Sequence, residues 1–522
     1  MTESTVAIIG SGIAGTTIAY LLAQQGIDVH VFEKGPDYAY PQSEQFVEEI
    51  LNQYDNPAHD LDRKYRQIVQ DGDIPFLVDN ERYFRVGGMA TRWGAITLRM
   101  HPVDLAIRTH YGRGEDWPIT YDELEPYYGR AETLLGVSGN TDDNPFAPPR
   151  SQPLPLPPFE LSYMERVLGE KLRDHNILLH TTPQARTRTL YETRPGCQNY
   201  GVCRVCPLGA RYSPGYHMQL AQQTGFCTLQ TDVSVRRINV DQAGVARSIL
   251  VHNNQTGEEW EHNARVFILA PGTIETVRLL MLSANDQFRD GLGNRGGQLG
   301  KRLGFHQIRY ALLRYPEPVF PGRAGPHTAE SHQFIDHEDR GSYGGVKIEF
   351  TESEPRSGIA DPTFAEMNNL QEAADFFLHT RWMWFHAESD MTDEKYVTLS
   401  DTRDPFGDRI PHIHHQSSTF DAETYAFSQR LFQRLNEATG TVSSFLQPYE
   451  GWTSWSHHLG TCRMGTSPDN SVVDPYCQVH GVRNLFTAGS SSFVETSPVN
   501  PTLTIVALAI RTADYIMDQR LK

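Results

Sequence analysis

Residues 5–35 read TVAIIGSGIAGTTIAYLLAQQGIDVHVFEKG, and this stretch decides the fold. A short apolar strand at 6–9 runs into Gly10-x-Gly12-x-x-Gly15, and apolar residues at helical spacing follow. Gly10 allows a tight turn, Gly12 lets the backbone approach a pyrophosphate, and Gly15 lets helix and strand pack closely. The pattern therefore predicts a dinucleotide site at a helix N-terminus, where free N–H groups favour negative charge.

The residues that follow this glycine turn strengthen the prediction. Gly26 ends the predicted helix, and 28–32 form a second strand that closes on Glu33. An acid about 20 residues after the glycines can accept hydrogen bonds from ribose hydroxyls and disfavours a 2′-phosphate. Such a fingerprint at the N-terminus is typical of flavoproteins, so FAD is preferred to NAD. A purely structural turn is the alternative.

Length, charge and composition restrict the class of protein. With 522 residues the chain exceeds one ordinary core, so we expect two intertwined domains. The net charge of −18 disfavours nucleic acid and anionic membrane surfaces as partners. No signal-like pattern precedes Val6, and no apolar run reaches the roughly 18 residues that span a bilayer. We therefore expect a cytoplasmic protein without a membrane span, although it could be exported with a partner subunit.

The cysteines are unevenly distributed. Three of the six fall within ten residues, as C-x5-C-x2-C followed by Pro207, which suits a metal site better than a disulfide framework. Thiolates at this spacing favour a soft metal or an iron–sulfur site. No fourth ligand is evident beyond His217, so zinc and the absence of any metal remain alternatives. The candidate ligands are Cys197, Cys203 and Cys206.

Other stretches predict secondary structure around these motifs. Thr120 with Glu123 forms a capping box at the start of a helix. Paired glycines at 87 and 88 suggest close backbone approach to a ligand, here the flavin ring, with a simple loop as the alternative. We predict strands at 227–233, 248–253 and 265–270, helices at 274–283 and 423–438, a proline-rich connector at 141–160, and a β-rich segment at 380–416.

The C-terminal block completes a family pattern. It contains His457-x-x-Gly-Thr and Asn500-Pro-Thr-Leu-Thr, with proline suited to a first helical turn. Together with the N-terminal fingerprint and the Gly-Gly-Met segment, these motifs resemble the glucose–methanol–choline (GMC) oxidoreductase family. The resemblance implies an α/β protein with a Rossmann-like FAD-binding domain and an intertwined β-sheet substrate-binding domain.

The resemblance gives a domain organisation. We expect the FAD-binding domain mainly in 1–300, the substrate-binding domain mainly in 301–450, and a catalytic block at 451–522 that returns to the FAD-binding domain. Smaller features are a cofactor-covering excursion at 36–160, the cysteine segment at 197–217 and a mobile insertion at 320–375.

The resemblance also assigns catalytic roles. In this family FAD accepts a hydride at N5 from the carbon of an alcohol, a histidine takes the hydroxyl proton, and a second His or Asn orients the oxygen. The base maps onto His457 and its partner onto Asn500, while the neighbouring His458 could stack on the flavin or bind its surroundings. An imidazole is a competent base at neutral pH, and an amide can donate to an alkoxide without titrating.

FAD is expected to bind without a covalent link. Thr91-Arg92-Trp93 resembles the Thr-His-Trp segment of pyranose oxidases, whose histidine carries the flavin, and arginine cannot form that bond. The expected FAD contacts are Gly10, Ser11, Gly12, Ile13, Gly15, Glu33, Lys34, Gly87, Gly88, Met89, Thr91, Val233, Ala270, Gly489, Asn500, Pro501 and Thr502.

Three functional hypotheses follow. The cysteine segment resembles bacterial glucose, gluconate and fructose dehydrogenase catalytic subunits, in which a [3Fe–4S] cluster passes electrons onward. This favours a sugar, polyol or alcohol dehydrogenase with an electron-transfer partner. A pyranose or glycoside oxidase that uses oxygen is the competitor, and a flavin-bound sensor without turnover is the third. The substrate itself is not named by any motif, and we interpret Trp382, Trp384 and Phe385 as core residues, with pocket lining as the alternative.

Overall fold

The computed structural model describes residues 2–37, 40–41, 66–73, 82–199, 203, 205–320, 327–351, 369–448 and 457–521. Within these ranges the strands are β1 (Thr2–Ile9), β2 (Val29–Phe32), β3 (Val69–Gly72), β4 (His180–Thr181), β5 (Cys227–Gln230), β6 (Val233–Val240), β7 (Ala246–Asn253), β8 (Glu259–Leu269), β9 (Leu303–Gly304), β10 (Gln307–Arg314), β11 (Ala329–Ser331), β12 (Val346–Thr351), β13 (Thr380–Ala387), β14 (Tyr396–Arg403), β15 (Arg409–His415), β16 (Ser443–Leu446), β17 (Leu459–Gly460) and β18 (Leu485–Thr487).

The helices surround these strands. Over the same described ranges they are α1 (Ile13–Gln24), α2 (Ile107–Tyr111), α3 (Tyr121–Leu135), α4 (Tyr163–Asp174), α5 (Gly215–Gln223), α6 (Thr273–Leu282), α7 (Leu370–His379), α8 (Thr419–Thr439) and α9 (Thr502–Gln519). Helix α3 starts at the predicted capping box, with Thr120 and Glu123 bonded reciprocally. No helix in the described part of the chain combines the length and apolar character needed to cross a membrane.

The first sheet has seven strands in the order β5-β2-β1-β8-β7-β6, with β18 also paired to β8. Strands β5, β2, β1, β8 and β18 are parallel, and β6 and β7 extend the sheet antiparallel. Val6, Ala7 and Ile8 of β1 are fully buried, as expected for a parallel strand covered on both faces. Helices α1 and α9 pack against each other. This confirms the predicted Rossmann-like domain.

The second sheet has six strands in the order β16-β10-β13-β12-β11-β4, all antiparallel. One face forms a core, in which Ile348 and Phe385 are fully buried with residues of α4 and α8. Side chains alternate between the two faces of a strand, so Lys347, Glu349 and His386 point away from that core.

Two chain segments distant in sequence meet at a very short ladder. Leu459 of β17 pairs with Gly304 of β9, and Gly460 pairs with Leu303. Because the two strands are antiparallel, the residues just before β17 lie beside the residues just after β9. The ladder therefore brings His457 close to His306.

The described part of 320–375 corrects one interpretation. We predicted a mobile insertion with little regular structure, but β11, β12 and most of α7 lie there. The strands were missed because glycine, histidine and acidic residues dominate the segment, and because Lys347 and Glu349 of β12 lie on a buried face where apolar residues are usual. Residues 321–326 and 352–368 lie outside the described residues, as do 42–65 and 74–81 of the predicted cofactor-covering excursion.

Candidate active site

A cavity of about 920 Å³ is lined by residues of both sheets. The loop after β1, the loop after β8 and the N-terminus of α9 contribute from the first sheet and its helices. Strands β10, β12 and β13 contribute from the second sheet. Loops at the carboxyl ends of parallel strands are where α/β folds bind ligands, so this is the candidate active site.

The glycine fingerprint divides into structural and cavity-facing positions. A Cβ on Gly15 would lie 2.0 Å from the carbonyl oxygen of Gly10, so this glycine is required for packing of α1 on β1. A Cβ on Gly12 would meet nothing closer than Ala270 O at 4.0 Å, and Gly12 has an ordinary φ of −60°. Gly12 therefore leaves open space in the cavity, which a bound group can enter.

Three helices begin at the cavity without a side-chain cap. These are α1, α6 and α9, whose N-cap residues Gly12, Gly272 and Pro501 all line the cavity. The first N–H groups of a helix lack intrahelical partners and carry partial positive charge. The cavity therefore fits an extended anionic group such as the pyrophosphate of FAD.

Glu33 lies at the end of β2 and is buried at the cavity wall. Its Oε2 accepts hydrogen bonds from Ser11 N (2.9 Å) and Ser11 Oγ (2.6 Å), and its Oε1 accepts one from Gly35 N (3.0 Å). Glu33 also lines the cavity, so its carboxylate lies at the space where a ribose hydroxyl of the cofactor would bind. Burial raises the pKa of Glu33, while these hydrogen bonds lower it.

Most of the predicted FAD contacts surround the same cavity. Those that line it are Gly10, Gly12, Ile13, Glu33, Lys34, Gly88, Met89, Val233, Ala270, Gly489, Asn500, Pro501 and Thr502. Four others do not line it: Ser11, Gly15, Gly87 and Thr91. Ser11 binds Glu33, and Thr91 donates from Oγ1 to the carbonyl oxygen of Gly88.

His457 faces the cavity beside two other histidines. Its Nδ1 lies 2.9 Å from Nδ1 of His306, and its ring centroid lies 6.2 Å from that of His386. Burial lowers the pKa of His457 to about 3, and the neighbouring His386 and Lys347 lower it further. The imidazole is therefore neutral at pH 7 and can accept a proton. Nitrogens of the three rings lie within 4.8 Å of one another, a separation that would also allow a metal ion.

Asn500 reaches the same cavity from the start of α9. Its side chain is buried except for the cavity face, and its Oδ1 accepts a hydrogen bond from Lys347 Nζ at 2.6 Å. The amide oxygen is thereby engaged by the protein. The Nδ2 donor is left for another partner.

His458 also lines the cavity, and its backbone carbonyl accepts a hydrogen bond from Thr273 Oγ1 (2.8 Å). Burial lowers the pKa of its imidazole to about 4, with a further lowering by Arg82. The ring is thus neutral and lies near α6. Its role toward the flavin stays a prediction.

The tryptophans of β13 correct a second interpretation. Trp382 and Trp384 line the cavity rather than the core, whereas Phe385 is fully buried in the core as predicted. The Tyr310 ring lies 5.3 Å from Trp382 and 6.2 Å from Trp384 between centroids. Strand alternation is the reason: 382, 384 and 386 share one face. The result is an aromatic surface inside the cavity.

The cysteine segment lies next to the site. Cys203 lines the cavity, and Cys197 and Cys206 are partly exposed. Among the described residues, the three sulfur atoms do not all approach within 4.8 Å of one another. The buried guanidinium of Arg211 lies near Cys206 and Cys203, and burial lowers its pKa. His217 donates to or accepts from Tyr212 Oη at 2.8 Å, so its Nδ1 is already engaged.

Several residues of the site were missed at the sequence level. Charged and imidazole side chains on β12 and β13, in and beside β11, and after β9 form a connected group at the cavity: His306, His327, Glu330, His332, Lys347, Glu349 and His386. Of these, His327, Glu349 and His386 line the cavity directly. The available signal was the alternation of polar and apolar residues over 346–350. It was overlooked because the surrounding segment was interpreted as irregular.

Comparisons with known proteins agree with this geometry. Residues 5–104 match the FAD dependent oxidoreductase family model, and 392–509 match the GMC oxidoreductase model. The fructose dehydrogenase large subunit of Gluconobacter japonicus is 26% identical over 98% of this chain and 97% of that protein. Paromamine 6′-oxidase of Streptomyces fradiae is 26% identical over 98% of this chain and 91% of that protein. Aspergillus oryzae formate oxidase has a similar fold, with a TM-score of 0.67, 17% identity, and coverage of 100% and 99% of the two chains.

The fold, the uncapped helix N-termini and the Glu33 site fit the FAD-binding domain that the match over residues 5–104 describes. The glycine fingerprint and the C-terminal block together place the chain more narrowly. The chain carries an FAD-dependent oxidoreductase domain and a GMC oxidoreductase C-terminal domain.

Proposed function

We propose that this protein oxidises a CH–OH group of a sugar, polyol or related alcohol with FAD as the hydride acceptor. The observation that carries the proposal is the shared cavity of His457 and Asn500. A neutral imidazole and an amide donor face one space that the cofactor site also opens into. When bound, FAD supplies the two-electron acceptor for the hydride that leaves the substrate carbon.

The side chains of the protein supply the proton acceptor, the hydrogen-bond donor and the cofactor contacts. His457 accepts the hydroxyl proton, because burial keeps its imidazole neutral at pH 7. Asn500 donates from Nδ2 to the substrate oxygen and stabilises its developing negative charge. Glu33 and the N-terminus of α1 hold the ribose and pyrophosphate of the cofactor. His458 contributes to the flavin surroundings.

The aromatic surface supports a sugar-like substrate. Tyr310, Trp382 and Trp384 present partly exposed rings to the cavity. Such rings offer flat apolar faces with polar edges, which suits a ring whose faces are C–H bonds and whose rim is hydroxyl groups. The relatives named for fructose dehydrogenation and paromamine oxidation are also consistent with a polyhydroxylated substrate.

For the electron acceptor we propose the dehydrogenase form, with electrons leaving through an iron–sulfur cluster at Cys197, Cys203 and Cys206. Three soft thiol ligands and a nearby buried guanidinium, which favours thiolate charge, fit such a group. The position of Cys203 at the cavity supports electron transfer from this site. We propose that a partner subunit receives the electrons, because the fructose dehydrogenase relative is the large subunit of its enzyme. We also propose a cytoplasmic location unless such a partner exports the chain.

An oxygen-using oxidase is the second candidate. Its support is the paromamine oxidase relative, which has the same 26% identity to the chain as the dehydrogenase relative. In this form hydrogen peroxide would be the second product, and the cysteines would hold no cluster.

One experiment separates the two forms. The protein is purified without air and analysed for flavin, iron and acid-labile sulfide. It is then assayed with a panel of sugars and polyols, using either an artificial acceptor or oxygen. About three irons per flavin, with acceptor reduction and little peroxide, are expected for the proposed dehydrogenase. Flavin without iron, with one peroxide per substrate oxidised, would contradict it and favour the oxidase.

A further inference from the structure

Lys347 is a fully buried lysine on β12 that touches a predicted catalytic residue. Its Nζ donates to Glu330 Oε1 (3.1 Å), to Glu349 Oε1 (2.5 Å) and to Asn500 Oδ1 (2.6 Å). All three protons of the ammonium are therefore used. A fully buried lysine is unusual and needs compensating partners, which the two carboxylates provide.

The contact with Asn500 fixes which way the amide points. An ammonium has three donors and no acceptor, so only the oxygen of the amide can face it. The Nδ2 of Asn500 must then point away from Lys347. Asn500 lines the cavity, so the donor end is turned toward the space where the substrate oxygen would lie.

We propose that Lys347 is a positioning residue that holds Asn500 as a hydrogen-bond donor toward the substrate oxygen. The inference rests on the proposed function, because it assigns Asn500 a role in that reaction. An unconstrained amide could rotate by half a turn and present its oxygen, which would repel an alkoxide. The ammonium removes this alternative. By withdrawing electron density through Oδ1, it also strengthens the N–H donor at the other end of the amide.

The two carboxylates that bind the Lys347 ammonium are themselves contacted by histidines. Glu330 Oε1 lies 2.9 Å from His327 Nε2, and Glu330 Oε2 lies 2.8 Å from His332 Nε2. Glu349 Oε2 lies 3.1 Å from His386 Nε2. These partners give each carboxylate a second contact besides the lysine.

The charges of the group explain why a lysine is tolerated there. Burial would lower the pKa of Lys347, but Glu330 and Glu349 raise it above its ordinary value. Burial would raise the pKa of both carboxyls, but Lys347 holds that of Glu330 well below its ordinary value, and His386 and Lys347 do the same for Glu349. The ammonium therefore stays charged and in place throughout the pH range in which the enzyme would work.

The test is a double-mutant cycle of Lys347→Met and Asn500→Ala in the flavin-loaded enzyme. If Lys347 acts through Asn500, Lys347→Met should lower kcat about 10- to 100-fold with KM changed less than about threefold, since it weakens a transition-state donor. In the Asn500→Ala background the same change should have an effect of less than about threefold. An equal effect in both backgrounds would overturn the inference.

Lys395→Met is the matched control. Lys395 is also fully buried and binds two carboxylates, Asp390 and Asp421, but it has no contact with Asn500. It should lower Tm comparably to Lys347→Met while leaving kcat per flavin within about threefold. A loss of kcat that simply follows Tm in both variants would mean a structural role.

A second variant, Lys347→Gln, tests the inference if Lys347→Met folds poorly. The amide of Lys347→Gln can still donate to Asn500 Oδ1, so this variant should retain at least about a tenth of kcat. A loss as large as that of Asn500→Ala would contradict the inference. Failure of the proposed function has a different signature, because the parent enzyme itself would then oxidise none of the sugars and polyols in the panel.

Discussion

His457 and His306 face each other through their Nδ1 atoms at 2.9 Å. Two neutral imidazoles at this distance share one proton, so one ring donates and the other accepts. For His457 to act as a base at Nε2, its Nδ1 must carry that proton and His306 must accept it. The antiparallel pairing of β9 with β17 fixes this relationship.

Removing the acceptor should therefore weaken the base. We predict that His306→Leu lowers kcat about 10- to 100-fold, because the buried Nδ1–H of His457 loses its partner or moves its proton to Nε2. Steady-state rates normalised to bound flavin measure the effect. His262→Leu is the control, since this buried histidine binds Ser4 at the far end of β1. Equal rates for His306→Leu and the parent protein would contradict the tautomer assignment.

The pH dependence should show the low pKa of His457. Burial lowers this pKa to about 3, and the catalytic form is the neutral one, which is present above the pKa. We therefore expect kcat/KM to stay flat from about pH 5 to pH 8, since kcat/KM reports the pKa values of the free enzyme. An acid limb centred near the ordinary imidazole value of about 6.5 would contradict this prediction.

Alanine substitutions at Gly12 and Gly15 should affect different properties: the first FAD binding, and the second the stability of the apo-protein. Gly12→Ala adds a methyl group to open cavity space, so the apo-protein should unfold as before while FAD affinity falls at least about 10-fold. Gly15→Ala would clash with the carbonyl oxygen of Gly10, so it should lower Tm of the apo-protein itself. Thermal unfolding without flavin and a flavin titration measure the two effects. The prediction fails if Gly12→Ala binds FAD normally.

Glu495 should make stability decrease as the pH rises from about 4.5 to about 7. Burial raises its pKa to about 7, and its Oε1 accepts a hydrogen bond from Glu115 N. The unfolded chain ionises this carboxyl near pH 4.5, so the folded state favours the protonated form and loses stability as the pH rises toward 7. Glu495→Gln keeps the acceptor and removes this cost. Its Tm should exceed that of the parent protein at pH 8 but not at pH 4, and an equal difference at both pH values would disprove the assignment.

Cys203→Ser should impair electron transfer from the reduced flavin to an external acceptor, but it should not impair oxidation of the substrate by the flavin. If the cysteines hold a cluster, this variant should lose iron and steady-state reduction of an artificial acceptor, while sugar still reduces the flavin in a single turnover. Cys227→Ser, a buried cysteine outside the segment, is the control. Unchanged iron content and acceptor rates in Cys203→Ser would rule out a cluster ligand at this position.

The sequence predicted the first sheet and the ends of the catalytic block well, because both depend on local patterns. The glycine turn, the capping box at Thr120 and the proline at the start of α9 are each set by residues within a few positions of one another. Asn500 and His457 were placed in one cavity by the family pattern, and the structure has both at its wall.

The second sheet could not be predicted to the same extent. Its strands pair across large sequence separations, and β12 carries Lys347 and Glu349 on a buried face where apolar residues are usual. Such polar residues are stable only because β11 and β13 supply their partners. Likewise, His306 could not be assigned to the site from the sequence, because only the pairing of β9 with β17 brings it next to His457.

The most direct test of the account is single-turnover flavin reduction without oxygen. The flavin-loaded protein is mixed with a panel of sugars and polyols, and the loss of oxidised flavin absorbance is followed in the parent protein and in His457→Ala. We predict stoichiometric reduction by at least one of these alcohols, at a rate that His457→Ala lowers about 10²- to 10⁴-fold. Reduction at the same rate in both proteins would contradict the central claim that His457 is the base of an alcohol-oxidising site.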